Sequence, residues 1–167
     1  MNSKIAGALA AVALLAACAN QTPATTGANT GAGAVAPGPA PGSEEDLAQN
    51  VGNRIFFAFD RSQLTPGSQA TLDKQAAWLA KYANVRVLIA GNCDDRGTEE
   101  YNLALGQRRA NAARDYLVAR GVDPSRIQTI SYGKDRPIAP GDDEEAWAQN
   151  RNDTTSVITG VGPSPGA

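Results

Sequence analysis

The sequence predicts an α/β (α+β) two-layer sandwich of about 110 residues, large enough for one hydrophobic core. Three observations carry that reading. β-prone runs alternate with helical stretches in the order βαβαβ, a short third helix and a final strand follow, and capping or turn residues sit at nearly every junction.

Arg54-Ile55-Phe56-Phe57-Ala58-Phe59, bounded by Asn53 and Asp60, reads as the first strand. Thr65 is placed to cap a helix opening on Pro66, a residue tolerated there because its missing N–H would have no intrahelical partner. Leu72, Ala76, Leu79 and Ala83 recur at helical spacing and should face a core. Val85, Val87 and Ile89 alternate with Arg86, Leu88 and Ala90 in a second strand that ends at Gly91.

After a loop to Gly97, Thr98 caps a long helix whose first turn holds Glu99 and Glu100, where the macrodipole favours anions. Leu103, Gly106, Ala110, Ala113 and Leu117 form its apolar stripe, and Gly121 with Asp123-Pro124 stops it. A third strand runs from Ile127 to Tyr132. Gly133 to Gly141, with two prolines, reads as loop, Asp142 to Asn150 as a short helix with acids at its start, and Thr154 to Thr159 as the last strand.

The start of the chain is chemically different. Every Asp and Glu lies between Glu44 and Asp153, and Lys4 is the only charged side chain before Glu44. Residues 1–17, a basic start and then an apolar run from Ile5 to Ala17, read as a secretory signal peptide, shorter than the roughly 20 apolar residues a membrane-spanning helix needs. Leu15-Ala16-Ala17-Cys18 resembles the bacterial lipobox. That resemblance implies a lipidated, palmitate-bearing N-terminal Cys18, and Ala19 in place of aspartate implies sorting to the outer membrane. Two or more acyl chains anchor stably where one does not. Cys93 is then the only thiol left, so no intramolecular disulfide is expected. From Ala19 to Ser43 there is no charge and no aromatic residue, but four prolines and five glycines, a composition that cannot offset the entropy of ordering. Residues 19–46 are accordingly read as disordered linker, 47–160 as the folded domain and 161–167 as a frayed tail.

Composition narrows the function. The 167 residues carry 15 Lys plus Arg against 17 Asp plus Glu, a net charge of −2 and no histidine. Without imidazole there is no Ser-His-Asp or Cys-His pair and no histidine metal ligand. The acidic balance, pI near 5.1, speaks against nucleic-acid binding. No metal or cofactor is expected.

The stretch Gly91-Asn92-Cys93-Asp94-Asp95-Arg96-Gly97-Thr98-Glu99-Glu100-Tyr101-Asn102-Leu103-Ala104-Leu105-Gly106-Gln107-Arg108-Arg109-Ala110 closely resembles the peptidoglycan-binding core of the OmpA-like domain family. With the lipobox, the linker and Ser131-Tyr132-Gly133-Lys134, the likeness extends to the peptidoglycan-associated lipoproteins of that family. The resemblance implies a mixed sheet and binding of peptidoglycan at the diaminopimelate of its stem peptide, a zwitterion that asks for an acid and a base at fixed separation. Asp94 matches the aspartate that takes the ammonium. Arg109 matches the arginine that takes the carboxylate, where a guanidinium offers two parallel N–H bonds. Asn102 matches a polar contact to the ligand, Asp60 a residue lining the pocket, and Arg96 a residue contributing mainly backbone or loop shape. The resemblance also implies a tether between outer membrane and cell wall in the Tol-Pal system, serving envelope integrity and cell division. Its implied partner is a TolB-like periplasmic β-propeller that overlaps the wall-binding face.

The chain departs from the family pattern in places. Asn92 stands where histidine is usual, Cys93 where a small residue is usual and Asp95 where glutamate is usual. Asn152 replaces the second arginine of an Asn-Arg-Arg sequence, which predicts weaker wall binding and leaves open a lipoprotein of the same fold acting mainly through a protein partner. Cys93 is expected to pack behind Asp94. An enzyme using Asp94 and Asp60 as paired carboxylates is the competing class. With no imidazole to titrate, ligand affinity should be nearly flat between about pH 5.5 and 7.5.

Overall fold

The computed structural model describes residues 38–158. The predicted signal peptide, Cys18, the linker up to residue 37 and the tail at 161–167 lie outside the described residues.

Strands β1 (Arg54–Phe56), β2 (Val87–Asn92), β3 (Ile127–Gly133) and β4 (Asn152–Val157) form one sheet in the order β1-β4-β2-β3. β2 runs parallel to β3 and antiparallel to β4, and β4 is antiparallel to β1, so the sheet is mixed. The helices are α1 (Glu44–Asp46), which continues as a π-helical turn over Leu47–Val51, then α2 (Pro66–Lys81), α3 (Glu99–Ala119) and α4 (Glu144–Asn150). α2 and α3 supply Leu72, Leu79, Ala110, Ala113 and Leu117 to a core closed by Ile55, Val87 and Ile89 of the sheet.

The caps act where the sequence places them. Thr65 accepts from the Ser68 N–H at 3.1 Å and Thr98 from the Tyr101 N–H at 3.2 Å, each satisfying a donor that has no partner inside its helix. Gly121, at φ 93°, takes the chain out of α3 in a conformation other residues avoid.

The folded part begins earlier than residue 47, which corrects the linker boundary. Ser43 caps Asp46, and the Asp46 carboxylate accepts from Asn50, Gly42 and, at 2.9 Å, the Trp78 indole of α2. Those bonds, Asn50 first, hold its pKa down to about 2. The polar string before Leu47 is thus fastened to the core by one carboxylate.

Other boundaries shift for local reasons. β1 stops at Phe56 because the carbonyls of Phe57, Ala58 and Arg61 go to arginine side chains and not to a neighbouring strand, and Asp60 turns the chain at φ 54°. α2 ends at Lys81, with Tyr82 turned edge-on to Trp78, so Ala83 is exposed and outside the helix. On α3 Leu103 is 37% exposed, and the inward face runs instead through Asn102, Leu105, Gly106 and Arg109. β4 begins at Asn152, two residues before the predicted start, because Asn152 and Asp153 already pair with Phe56 and Ile55 of β1, and the Asn152 Oδ1 accepts from Asn92 Nδ2.

Helix and sheet meet most closely at two glycines. A Cβ on Gly91 of β2 would lie 2.0 Å from the Gly106 carbonyl oxygen of α3, and one on Gly106 would lie 2.3 Å from Ser131 Oγ. Only glycine at both positions lets α3 sit this low, and that height sets where Asn102 and Arg109 stand relative to the end of β2.

Candidate functional site

A cleft of about 210 Å³ opens where β2 ends, between the turn after β1, the loop from Cys93 to Gly97 and the first turns of α3. All five residues singled out from the sequence, Asp60, Asp94, Arg96, Asn102 and Arg109, line it. The bonds they make differ from the expected ones in instructive ways.

Asp94 is 4% exposed and forms the acidic floor. Its Oδ2 accepts from Arg96 Nη2 at 2.5 Å and from Arg151 Nη1 at 3.1 Å, and Oδ1 accepts from the Arg96 N–H. Burial pushes this carboxyl up, but the bonds from Arg96 and Arg151 outweigh it and leave the pKa below the ordinary aspartate value. Asp94 is therefore held as a carboxylate, the form that pairs with a cation.

Arg96 contributes more than loop shape. Its guanidinium carbon lies 4.0 Å from the Phe59 ring centroid and 4.1 Å from that of Trp147, so the cation is stacked between two aromatic rings as it reaches Asp94. Its backbone also shapes the loop: its carbonyl accepts from Asn102 Nδ2 at 2.8 Å.

Arg109 is fully buried, and its fork is occupied. Nε donates to the Arg61 carbonyl at 2.8 Å, Nη1 to the Asn92 carbonyl at 2.8 Å and to Cys93 Sγ, and Nη2 to the Ala58 carbonyl at 3.2 Å. A guanidinium carries five N–H bonds, so one remains, on Nη2. The expectation of two parallel N–H bonds free for a ligand carboxylate is corrected: in this state Arg109 ties the turn after β1 to the end of β2 and offers a ligand one donor plus its charge.

Asn102 spends its amide donors on the carbonyls of Arg96 and Thr98, clamping the loop to the start of α3. Asp60, exposed at the rim, accepts from the Tyr101 hydroxyl. Cys93 is 3% exposed, behind Asp94, and burial pushes its thiol up, Arg109 acting against it. That environment suits packing rather than thiolate chemistry.

Three features escaped the sequence reading. Arg151 is 6% exposed and links Asp94 to Glu144 Oε1, the latter at 2.6 Å, while its Nε donates to the Phe57 carbonyl. Phe59 and Tyr101 wall the cleft and Trp147 backs Arg96, although aromatic residues are only 5% of the chain. Asp153 is 1% exposed with neither carboxylate oxygen partnered, and burial, opposed only in part by Arg109, pushes its pKa well above the ordinary value.

The departures also find their places. Asn92 and Asn152 bond each other at 3.1 Å, and neither lines the cleft. The weaker binding expected from Asn152 therefore has no geometric support, since the arginine that meets Asp94 is Arg151.

The OmpA family model matches residues 56–151. A peptidoglycan-associated lipoprotein of Rhizobium meliloti is 56% identical over 120 residues, which cover 72% of this chain and 68% of that protein. A peptidoglycan-associated lipoprotein of Agrobacterium fabrum is 45% identical over 148 residues, covering 89% and 83%. Among solved structures, the peptidoglycan-associated lipoprotein from Burkholderia pseudomallei superposes with a TM-score of 0.64 at 38% identity, over 68% of this chain and 100% of that one.

Proposed function

The chain belongs to the OmpA family and, within it, to the peptidoglycan-associated lipoproteins, and from that premise we propose that it is an outer-membrane lipoprotein that binds peptidoglycan non-covalently and ties the membrane to the wall. Lipid on Cys18 is one attachment and the cleft is the other. A stable anchor and a reversible attachment on one chain gain from effective concentration.

The ligand of the cleft is the zwitterionic end of diaminopimelate. Its ammonium goes to Asp94, exchanging with Arg96, whose side chain is 31% exposed, while Arg151 at 7% stays in place. Its carboxylate takes the remaining Arg109 N–H and the field of that buried cation. Asn102 holds the loop that presents Asp94, and Asp60 with Tyr101 frames the entrance. The observation that carries the reading is the buried, ionised Asp94 sharing a cleft of 210 Å³ with the buried Arg109. Charge-assisted bonds in such a setting contribute roughly 1.5 to 3 kcal/mol each.

The finer assignment is a place in the Tol-Pal system with a TolB-like β-propeller competing for the same face, in support of envelope integrity and division. It rests on family membership.

Sedimentation with purified sacculi tests the reading. Wild type should co-sediment with diaminopimelate-containing wall and much less with lysine-containing wall, and Asp94→Asn should lose most of the difference. Equal retention on both walls would remove the proposed ligand, and equal retention of the variant would remove the proposed site.

A further inference from the structure

We propose that the sheet face turned away from the helices is a second docking surface, one that takes an acidic protein segment with interleaved apolar side chains. Side chains alternate along a strand, so Ile55, Val87, Ile89 and Ile127, buried under α2 and α3, leave their neighbours to the other side. On that side a groove of about 290 Å³ runs across β1, β4 and β2 to the loop after β3.

Charge identifies the occupant. Arg54 and Arg136 stand in the groove, and Arg86, just before β2, has the same phase as Leu88. No Asp or Glu lines it, although the chain carries 17 acids and a net charge of −2. None of the three arginines forms an ion pair among the described residues. Arg54 Nε rests on Thr154 Oγ1 at 3.3 Å, and the Arg136 guanidinium lies 3.5 Å from the Tyr132 ring centroid. Both forks are thus held by neutral groups, with N–H bonds left for carboxylates. β1 and β3 are three strand spacings apart, roughly 14 Å, so the cations are spread across the surface and match separated acids on one segment.

The apolar half of the match is also present. Phe56, Ile130 and Ile138 are 46%, 37% and 42% exposed, and Leu88 lies on the floor. The cleft combines Asp60 and Asp94 with arginines, whereas the groove offers arginines with no acid beside them, so the two surfaces differ in charge pattern. Asn92 turns its side chain into the groove while Cys93 and Asp94 turn theirs into the cleft, so the two surfaces sit back to back and can be occupied together.

The test uses the full-length lipidated chain in neutral detergent micelles and a labelled peptide of about twelve residues alternating Glu with Leu, followed by anisotropy. Binding is expected in the micromolar range, about tenfold or more weaker for Arg54→Ala with Arg136→Ala, and absent for the same peptide with Lys replacing Glu. Ile130→Asp, at an exposed position, should weaken it similarly and covers the case in which the double variant does not fold. Sedimentation with sacculi should be unchanged in all variants, which separates failure here from failure of the wall-binding reading. Equal binding by the variants, or by the Lys peptide, would overturn the proposal. So would arginine-dependent binding of phosphatidylglycerol vesicles with no peptide binding, which would assign the face to a lipid surface.

Discussion

Arg96 reaches Asp94 at 2.5 Å while stacked on Phe59 and Trp147, so the cation that completes the cleft sits on the carboxylate to which we assign the ligand ammonium. Stability and affinity are thereby set against each other at one residue. A pair whose cation is open to solvent on one side contributes up to about 1 kcal/mol and each ring contact about 0.5 to 1 kcal/mol. Arg96→Ala should cost about 1 to 3 kcal/mol in chemical denaturation and, by releasing Asp94, bind free diaminopimelate several-fold more tightly in calorimetry. Loss of both stability and affinity would mean that Arg96 is a direct ligand contact and not a stand-in for one.

The glycine pair makes a second prediction. A methyl on Gly91 has a backbone oxygen 2.0 Å away, which cannot rotate aside as a side chain could. Gly91→Ala should cost about 3 kcal/mol, near the upper end of overpacking penalties. It should also lift α3 and displace Asn102 and Arg109, so that wall sedimentation falls even below the denaturation midpoint. Gly38, around which a Cβ meets nothing within 4 Å, serves as the control, and Gly38→Ala should be neutral.

Asp153 gives the folded state a pH dependence of unusual sign. Its pKa is raised in the fold, so the folded chain keeps a proton that the unfolded chain has released. Its contribution is therefore full below the unfolded value near 3.8 and is lost as pH rises toward the folded value, at about 1.4 kcal/mol per pH unit. Asp46 has the opposite sign: its contribution is full above that same unfolded value and is lost as pH falls through about 2, outside the range that matters here. The melting temperature should fall as pH rises above the unfolded aspartate value, and Asp153→Asn should flatten most of that slope. A wild-type curve as flat as the variant's would show that Asp153 is solvated or paired. Ligand affinity, with no histidine in the chain to titrate, should be nearly flat between about pH 5.5 and 7.5.

What could be read in advance follows from how local the signals are. Thr65-Pro66, Thr98-Glu99 and Gly121 declare helix ends through bonds made within a few residues, and those ends stand where expected. Hydrophobic periodicity assumes that polar residues point outward and so turns Leu103 inward, whereas Leu103 is 37% exposed and Asn102 and Arg109 point inward with their donors satisfied by backbone carbonyls. A periodicity argument sees side-chain type and not the carbonyls waiting for it. Asp94, Asn102 and Arg109 were visible as one continuous pattern, but Arg151 lies 57 residues from Asp94, and only the pairing of β4 with β2 brings it there.

That pairing leads to the last prediction. Arg151 is the one cation that holds Asp94 from inside, and it also bonds the Phe57 carbonyl and Glu144, so it joins the turn after β1, the cleft loop and α4 at one point. Removing one partner of a buried pair leaves the other charge unpaired and costs about 3 to 5 kcal/mol, more than the pair contributes by being present. Arg96 can answer part of that loss from the solvent side, so Arg151→Ala should fall near the lower figure. Arg151→Lys should recover little of it, because one ammonium cannot serve a carbonyl and two carboxylates placed around a planar fork. Denaturation curves for the two variants check this, and Lys restoring wild-type stability would mean that charge alone, without the geometry of the fork, holds Asp94 in place.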